Sequence, residues 1–325
     1  MNIKNQRSTH TGRCTLFSLL IITIIFFSCG TISPIQGQEF VSYPTIEAIS
    51  PGWQPLYTEI KGIDYFTGKI SKPKLEFHAL RIDLSEPHLE IFIAPGGPAC
   101  GKAGGKAEVA GEKFSSIKVS SFVRNNSLLA GINALPFEPS SDKEGEAREN
   151  IGIVIAGSPA GSRAGGGIML SKPHPKFDAL VFYPDKNAAI IPQLEIISNS
   201  TAYSAIENAV GGFYAILKDS EPLHRSDDRH PRSAAGISGG GWILYLLVVD
   251  GRRPGSIGST ELETALILKA IGAIDGINLD GGGSSALALL FHDGQVRVLN
   301  TPVHGGIPGK ERAVAGCIGI RLKIK

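Results

Sequence analysis

Cysteine is scarce in this sequence, four in 325 residues with no Cys-x-x-Cys pair, which excludes a disulfide scaffold and the usual structural zinc sites. No fixed period recurs along the chain, so a solenoid or fibrous repeat is excluded as well. Basic charge is not in excess either. The formal net charge is +2, but Lys4, Arg7 and Arg13 lie in a segment that reads as a leader, and without them 29 basic residues face 30 acidic ones. No electrostatic footprint for nucleic acid remains. Beyond the leader no apolar run approaches the roughly 18 residues of a membrane span. What the chain does hold is 40 glycines, 20 prolines and 42% hydrophobic residues. That is enough apolar content to fold, with turn chemistry that favours many short strands over a helix bundle.

Residues 1–14 are polar and basic without an acid, and Leu16 to Phe27 form an apolar run broken only by Ser18 and Thr23. The run has the length of a signal-peptide core. It ends in Phe26-Phe27-Ser28-Cys29-Gly30, which fits a loose lipoprotein cleavage box. Two processing routes stay open: lipidation at Cys29, or ordinary cleavage near Gln36-Gly37-Gln38. Both predict a secreted or periplasmic protein, and the first adds a lipid anchor to the cell envelope. Residues 1–29 thus read as a signal peptide, 30–45 as a Ser-, Pro-, Gln- and Gly-rich linker, and 46–325 as one domain. Cys100 and Cys317 remain in the mature chain, either paired or as one exposed and one buried thiol.

Strands are expected at Leu75–Leu84, Leu89–Ala94, Leu128–Asn133, Gly152–Ala156 and Ala179–Tyr183, with a helix over Ser116–Asn125. Glycine-rich connections at 96–105, 157–167 and 305–309 have the length of functional loops. Further on, Ser233–Ser238 and the continuous apolar run Trp242–Val249 read as strands joined by the Gly239–Gly241 turn. Thr260 and Glu263 make a capping box for a helix that continues to Ala270 and stops at Gly272. The strand Ile274–Leu279 and a hairpin through Asp293-Gly294 into Val296–Leu299 follow. Strand, helix, strand and hairpin in succession predict an α+β domain with a mixed, mainly antiparallel sheet and packed helices.

Asp280 closes one of those strands and is followed by Gly281-Gly282-Gly283-Ser284-Ser285. Three glycines in a row serve no packing purpose, but they let backbone N–H groups approach a ligand, and the hydroxyls add donors. No Gly-Lys-Ser/Thr follows, so this is not a nucleotide P-loop. Gly236-Ile237-Ser238-Gly239-Gly240 matches the hydrolase pattern G-x-S-x-G only formally, because a strand and not a helix comes after the serine. Arg232, Asn133 and Asp250 each sit at a strand end, and an arginine there can grip a phosphate or carboxylate bidentately. Glu261 lies in the first turn of a helix, where the dipole alone accounts for an acid. His304 and Arg312 flank the loop 305–310. His10, His78, His88 and His174 show no metal-ligand spacing.

Several of these stretches carry a resemblance. Val248-Val249-Asp250-Gly251-Arg252, Thr260-Glu261-Leu262-Glu263, the run N-L-D-G-G-G-S-S-A at 278–286, Ala130–Ala134, Arg232–Gly236 and Glu311–Val314 resemble the phosphodiester glycosidase family, most strongly over 230–320. The resemblance implies hydrolysis of a sugar-1-phosphodiester to the sugar and a phosphomonoester. Such a reaction needs cations and oriented donors for the phosphate, and carboxylates beside the anomeric carbon. Arg232, the 281–285 loop and Arg312 suit the first requirement, with Asn133 and His304 as further binding residues. Asp280 and Glu261 suit the second, with Asp250 in reserve. The expected partner is a carbohydrate phosphodiester. No cofactor is indicated, and a divalent metal such as calcium is left open. The alternative is a non-catalytic envelope module that binds phosphorylated glycans through the same loop.

Overall fold

The computed structural model describes residues 44–95, 113–157, 168–223 and 226–323. The leader with Cys29, most of the linker, Cys100 and nearly all of the 96–105 and 157–167 connections lie outside the described residues. The described residues form one compact unit.

An eight-stranded sheet organises that unit. Its order is Gln54–Pro55, Ile63–Ser71, Lys74–Asp83, Ile243–Val249, Arg232–Ile237, Asp275–Asn278, Ala215–Lys218 and Glu221–Pro222. A five-stranded sheet contains Leu287–Leu290, Ala130–Asn133 and Gly316–Leu322 at its centre, and another is built around Asn208–Gly211 and Asp178–Phe182. The principal core is shared by strands of all three, with Leu80, Ile132, Leu180, Leu246, Ile277 and Ile318 fully buried. A second core lies between the large sheet and the helix Glu261–Ala270, where Leu247, Ala265, Ile267 and Leu268 are buried. Each fully buried Leu or Ile contributes about 1.5–3 kcal/mol through removal from water.

The expected mainly antiparallel pairing is found, while the expected α+β class with a mixed sheet is corrected to a mainly β fold. Every strand ladder among the described residues is antiparallel. The order strand, helix, strand over 243–278 suggests a parallel neighbour pair. Instead, Ile243–Val249 and Asp275–Asn278 both pair with Arg232–Ile237, one on each side. They run in the same direction but never touch as a ladder, because the helix carries the chain across the intervening strand.

Local expectations fare better. The strand expected at 75–84 spans Lys74–Asp83, the apolar run forms Ile243–Val249, and the helix expected over 116–125 is shorter, Val119–Asn125. The capping box is present: Thr260 Oγ1 accepts from the Glu263 amide at 3.1 Å, and Glu263 Oε2 accepts from the Thr260 amide at 3.0 Å. Thr260→Ala is therefore expected to lower stability by about 1 kcal/mol in urea unfolding, and an unchanged midpoint would contradict this role.

Candidate active site

Antiparallel register decides which residues meet. Arg232 pairs with Val249, and Ala234 with Asn278, so Arg232, Asp250 and Asp280 emerge at the same end of three adjacent interior strands of the large sheet. Asn133 ends the Ala130–Asn133 strand of the neighbouring sheet and is wholly buried. Its Nδ2 donates to the Asp280 carbonyl at 2.5 Å, while Oδ1 accepts from Ser233 Oγ at 2.7 Å and from the Ala286 amide at 3.1 Å. Both ends of the amide are engaged inside the protein. Asn133 therefore positions the Asp280 loop and does not reach out to a ligand.

Asp280 follows the buried Leu279 and leads into a single 3-10 turn, Gly282–Ser284. Burial pushes its pKa up to about 6, against the opposing pull of the Ser284 hydroxyl, the Arg312 charge and the Gly281 amide. Desolvation wins. Gly282 adopts φ +64°, a left-handed conformation that glycine takes without strain, and its amide turns inward to the Pro231 carbonyl at 2.8 Å. At this residue the expected outward-facing amide is absent. Ser285 is fully buried and its hydroxyl has no hydrogen-bond partner among the described residues.

Arg232 reaches the same loop: a Cβ built on Gly281 would lie 3.9 Å from Arg232 Cδ. Its guanidinium, however, is occupied. Nε donates to the Ser259 carbonyl at 3.2 Å, Nη2 to the Asp228 carbonyl at 2.8 Å, and Nη1 faces Glu261 Oε1 at 3.5 Å. Burial lowers the Arg232 pKa, and the charges of Glu261 and Asp228 oppose that. Glu261 Oε1 also accepts from Asn278 Nδ2 at 3.2 Å, while its Oε2 is buried without a partner among the described residues. Asp250, held in reserve as a carboxylate, is saturated. It accepts from Arg253 Nη2 at 2.5 Å, Asn300 Nδ2 at 3.2 Å and the Thr301 amide at 2.9 Å. Asn300 in turn donates to the Ser285 carbonyl at 3.0 Å, so Asp250 buttresses the loop from behind.

His304 and Arg312 close the other side. Arg312 Nε donates to His304 Nδ1 at 3.2 Å, and Nη1 donates to Ser284 Oγ at 3.2 Å. An accepting Nδ1 leaves Nε2 as the protonated nitrogen of a neutral His304, an assignment made from the hydrogen-bond network. Burial, then Arg312 and Lys310, lower the His304 pKa. The structure thus brings Asn133, Arg232, Glu261, Asp280, Gly281–Gly283, Ser284, Ser285, His304 and Arg312 together, with Asp250 one layer behind.

The family model for phosphodiester glycosidases matches residues 127–321. The chain belongs to the phosphodiester glycosidase family. Every residue just described falls within that span. A curated relative, the uncharacterized SPbeta prophage-derived protein YomE of Bacillus subtilis, is 29% identical over 119 residues, covering 34% of this chain and only 18% of its own length. A hypothetical protein from Synechocystis superposes with TM-score 0.53 at 15% identity, over 85% of this chain and 64% of its own. The catalytic domain of zebrafish N-acetylglucosamine-1-phosphodiester alpha-N-acetylglucosaminidase, auto-inhibited by its pro-peptide, superposes with TM-score 0.53 at 17% identity, over 84% of this chain and 88% of its own. These likenesses show a shared fold.

One functional candidate carries no signal of its role in the sequence. Arg252 follows Asp250-Gly251 and takes φ +58°, a conformation unfavourable for arginine. Its guanidinium lies against the glycine loop, with Nη2 2.9 Å from where a Gly282 Cβ would stand. The motif D-G-R marks the position, but nothing in it shows a side chain folded back over a turn 30 residues away. Among the described residues, no three His, Cys, Asp or Glu side chains are grouped as a metal site. Cys317 is buried, which raises its thiol pKa.

Proposed function

We propose that this chain hydrolyses a glycosyl phosphodiester, releasing the sugar and a phosphomonoester. The observation that carries the reading is the carboxyl of Asp280, pushed up to about 6 by burial and set at a strand end beside Arg312 and the glycine loop. Water adds to the anomeric carbon, the bond from that carbon to the phosphate oxygen breaks, and the oxygen leaves with its electron pair. A phosphate leaves readily, so protonation of the leaving group is dispensable. The main role then falls to the carboxylate form of Asp280, which takes the proton of the attacking water or stabilises the oxocarbenium-like centre. Glu261, fixed by Arg232 and Asn278, supplies the second carboxylate. Family membership supports a hydrolase of this class, and the zebrafish neighbour is named for action on the same kind of bond. The leader suits a secreted or periplasmic place of work, with Cys29 as the lipid-anchor candidate.

The test is sugar release from a panel of sugar-1-phosphodiesters, with and without chelator. Saturable binding of phosphorylated glycans with no turnover of any panel member would favour the non-catalytic alternative. A pH profile adds a sharper check. Because Asp280 must be ionised and burial raises its pKa from 3.8 to about 6, kcat/KM should fall below pH 6 and not below pH 4. An acid limb near 4 would remove Asp280 from this role.

A further inference from the structure

Arg232 is the phosphate ligand expected from the sequence, yet its three donor groups face Ser259, Asp228 and Glu261. Two other guanidiniums are better placed. Arg252 Nη2 lies 2.9 Å from the position of a Gly282 Cβ, and Arg312 Nη2 lies 2.7 Å from that of a Gly283 Cβ. A side chain at either glycine would collide with an arginine, which gives these two glycines a reason beyond turn geometry. Arg252 is exposed and makes no ion pair among the described residues; its one hydrogen bond is from Nη1 to the Val303 carbonyl at 3.4 Å. Arg312 leaves Nη2 free of any hydrogen bond among the described residues. Lys310 is paired with Asp142, so it does not compete for a ligand. Of nearby carboxylates only Asp280 acts on Arg312, and the two arginines repel one another. Burial is the main cause that lowers the pKa of His304 and of His230; the field of Arg312 adds to it at His304, and Arg252 adds smaller contributions at both. Such an arrangement of like charges is stabilised by an anion between them.

We infer that Arg252, together with Arg312, forms a two-guanidinium clamp over Gly282 and Gly283 that holds the phosphoryl group of the substrate. The inference rests on the proposed hydrolysis. A phosphodiester carries one negative charge, and the leaving phosphomonoester gains a second as the bond from the anomeric carbon breaks. Two cations therefore grip the departing group harder than the bound substrate, which lowers the barrier and does not merely tighten binding. The same asymmetry makes the dianionic product an inhibitor. The left-handed backbone at Arg252 belongs to this picture, since strained conformations persist where the surroundings require a side chain in an unusual place.

The test uses the full chain with inorganic phosphate as probe, followed by calorimetry. Arg252→Gly removes the guanidinium while relieving the backbone, so its melting temperature should not fall. Phosphate affinity should drop by about tenfold or more, with Arg252→Lys between the two. On a sugar-1-phosphodiester, Arg252→Gly should lower kcat by about a hundredfold and change KM much less. Phosphate that fails to saturate the wild-type chain, or binds Arg252→Gly equally well, overturns the clamp. Phosphate binding that depends on Arg252 in a chain that turns over no phosphodiester keeps the clamp and removes the reaction. Hydrolysis untouched by Arg252→Gly does the reverse.

Discussion

Asp280→Asn is expected to abolish turnover and to raise the melting temperature. Loss of a carboxylate that acts at the reacting carbon lowers kcat by about a thousandfold or more, with KM little changed. The stability gain follows from the same burial. The folded-state pKa of Asp280 stands at about 6 against an ordinary 3.8, so the fold favours the neutral carboxyl. That preference supports the fold below pH 4 and is lost as pH rises through 6. At pH 7.5 the ionised group opposes folding by about 2 kcal/mol, after allowance for its partial exposure. Asparagine is neutral at every pH. The variant should therefore melt about 5 °C higher than the wild type at pH 7.5, and the gap should close at pH 4. A pH-independent gap, or a less stable variant at pH 7.5, would show that Asp280 is held by favourable contacts and not by a functional need.

Asn133→Asp should have the largest effect on stability. The change replaces the Nδ2 donor by an oxygen facing the Asp280 carbonyl, now 2.5 Å away, inside a site with no exposure to water. An uncompensated buried charge of this kind costs about 3–5 kcal/mol. Ser233→Ala, which removes only one donor to Asn133 Oδ1, should cost about 1–2 kcal/mol. Urea unfolding of both variants decides the point. Equal effects from the two would mean that the Asp280 carbonyl does not depend on Asn133.

The contrast between these two residues shows how far the sequence could be read. Asp280 is legible because a strand end, an acid and three glycines are local features that need no knowledge of the fold. Asn133 is legible as a polar residue at a strand end, but not as an internal tie. Its partners Ser233, Asp280 and Ala286 are 100 to 153 positions away and meet it only through sheet pairing. Arg232 and Asp250 are correctly expected at strand ends, yet their partners are invisible in the sequence, so both look more available than they are. Arg252 escapes notice because its value depends on a positive φ that no local rule assigns to arginine. The strands and the capped helix are readable from apolar periodicity and cap chemistry. The sheet order is not, since a helix can carry the chain to an adjacent strand or over one.

The pairing of Ile243–Val249 with Lys74–Asp83 runs through seven residues, from Ile243 opposite Asp83 to Val249 opposite Phe77. The family match begins only at residue 127, so Lys74–Asp83 and its neighbour Ile63–Ser71 lie outside it. A fragment cut at the family's own bounds would expose the long Ile243–Val249 strand, apolar but for the Tyr245 hydroxyl, as a naked edge. It would also strip Gly316–Leu322 of its partner Leu89–Pro95. Unpaired N–H and C=O groups on such strands recruit other chains, and the fragment would aggregate before its site could assemble. The segment that defines the chemistry is therefore not a unit of folding: strands upstream of it act as permanent covers for edges that would otherwise be sticky.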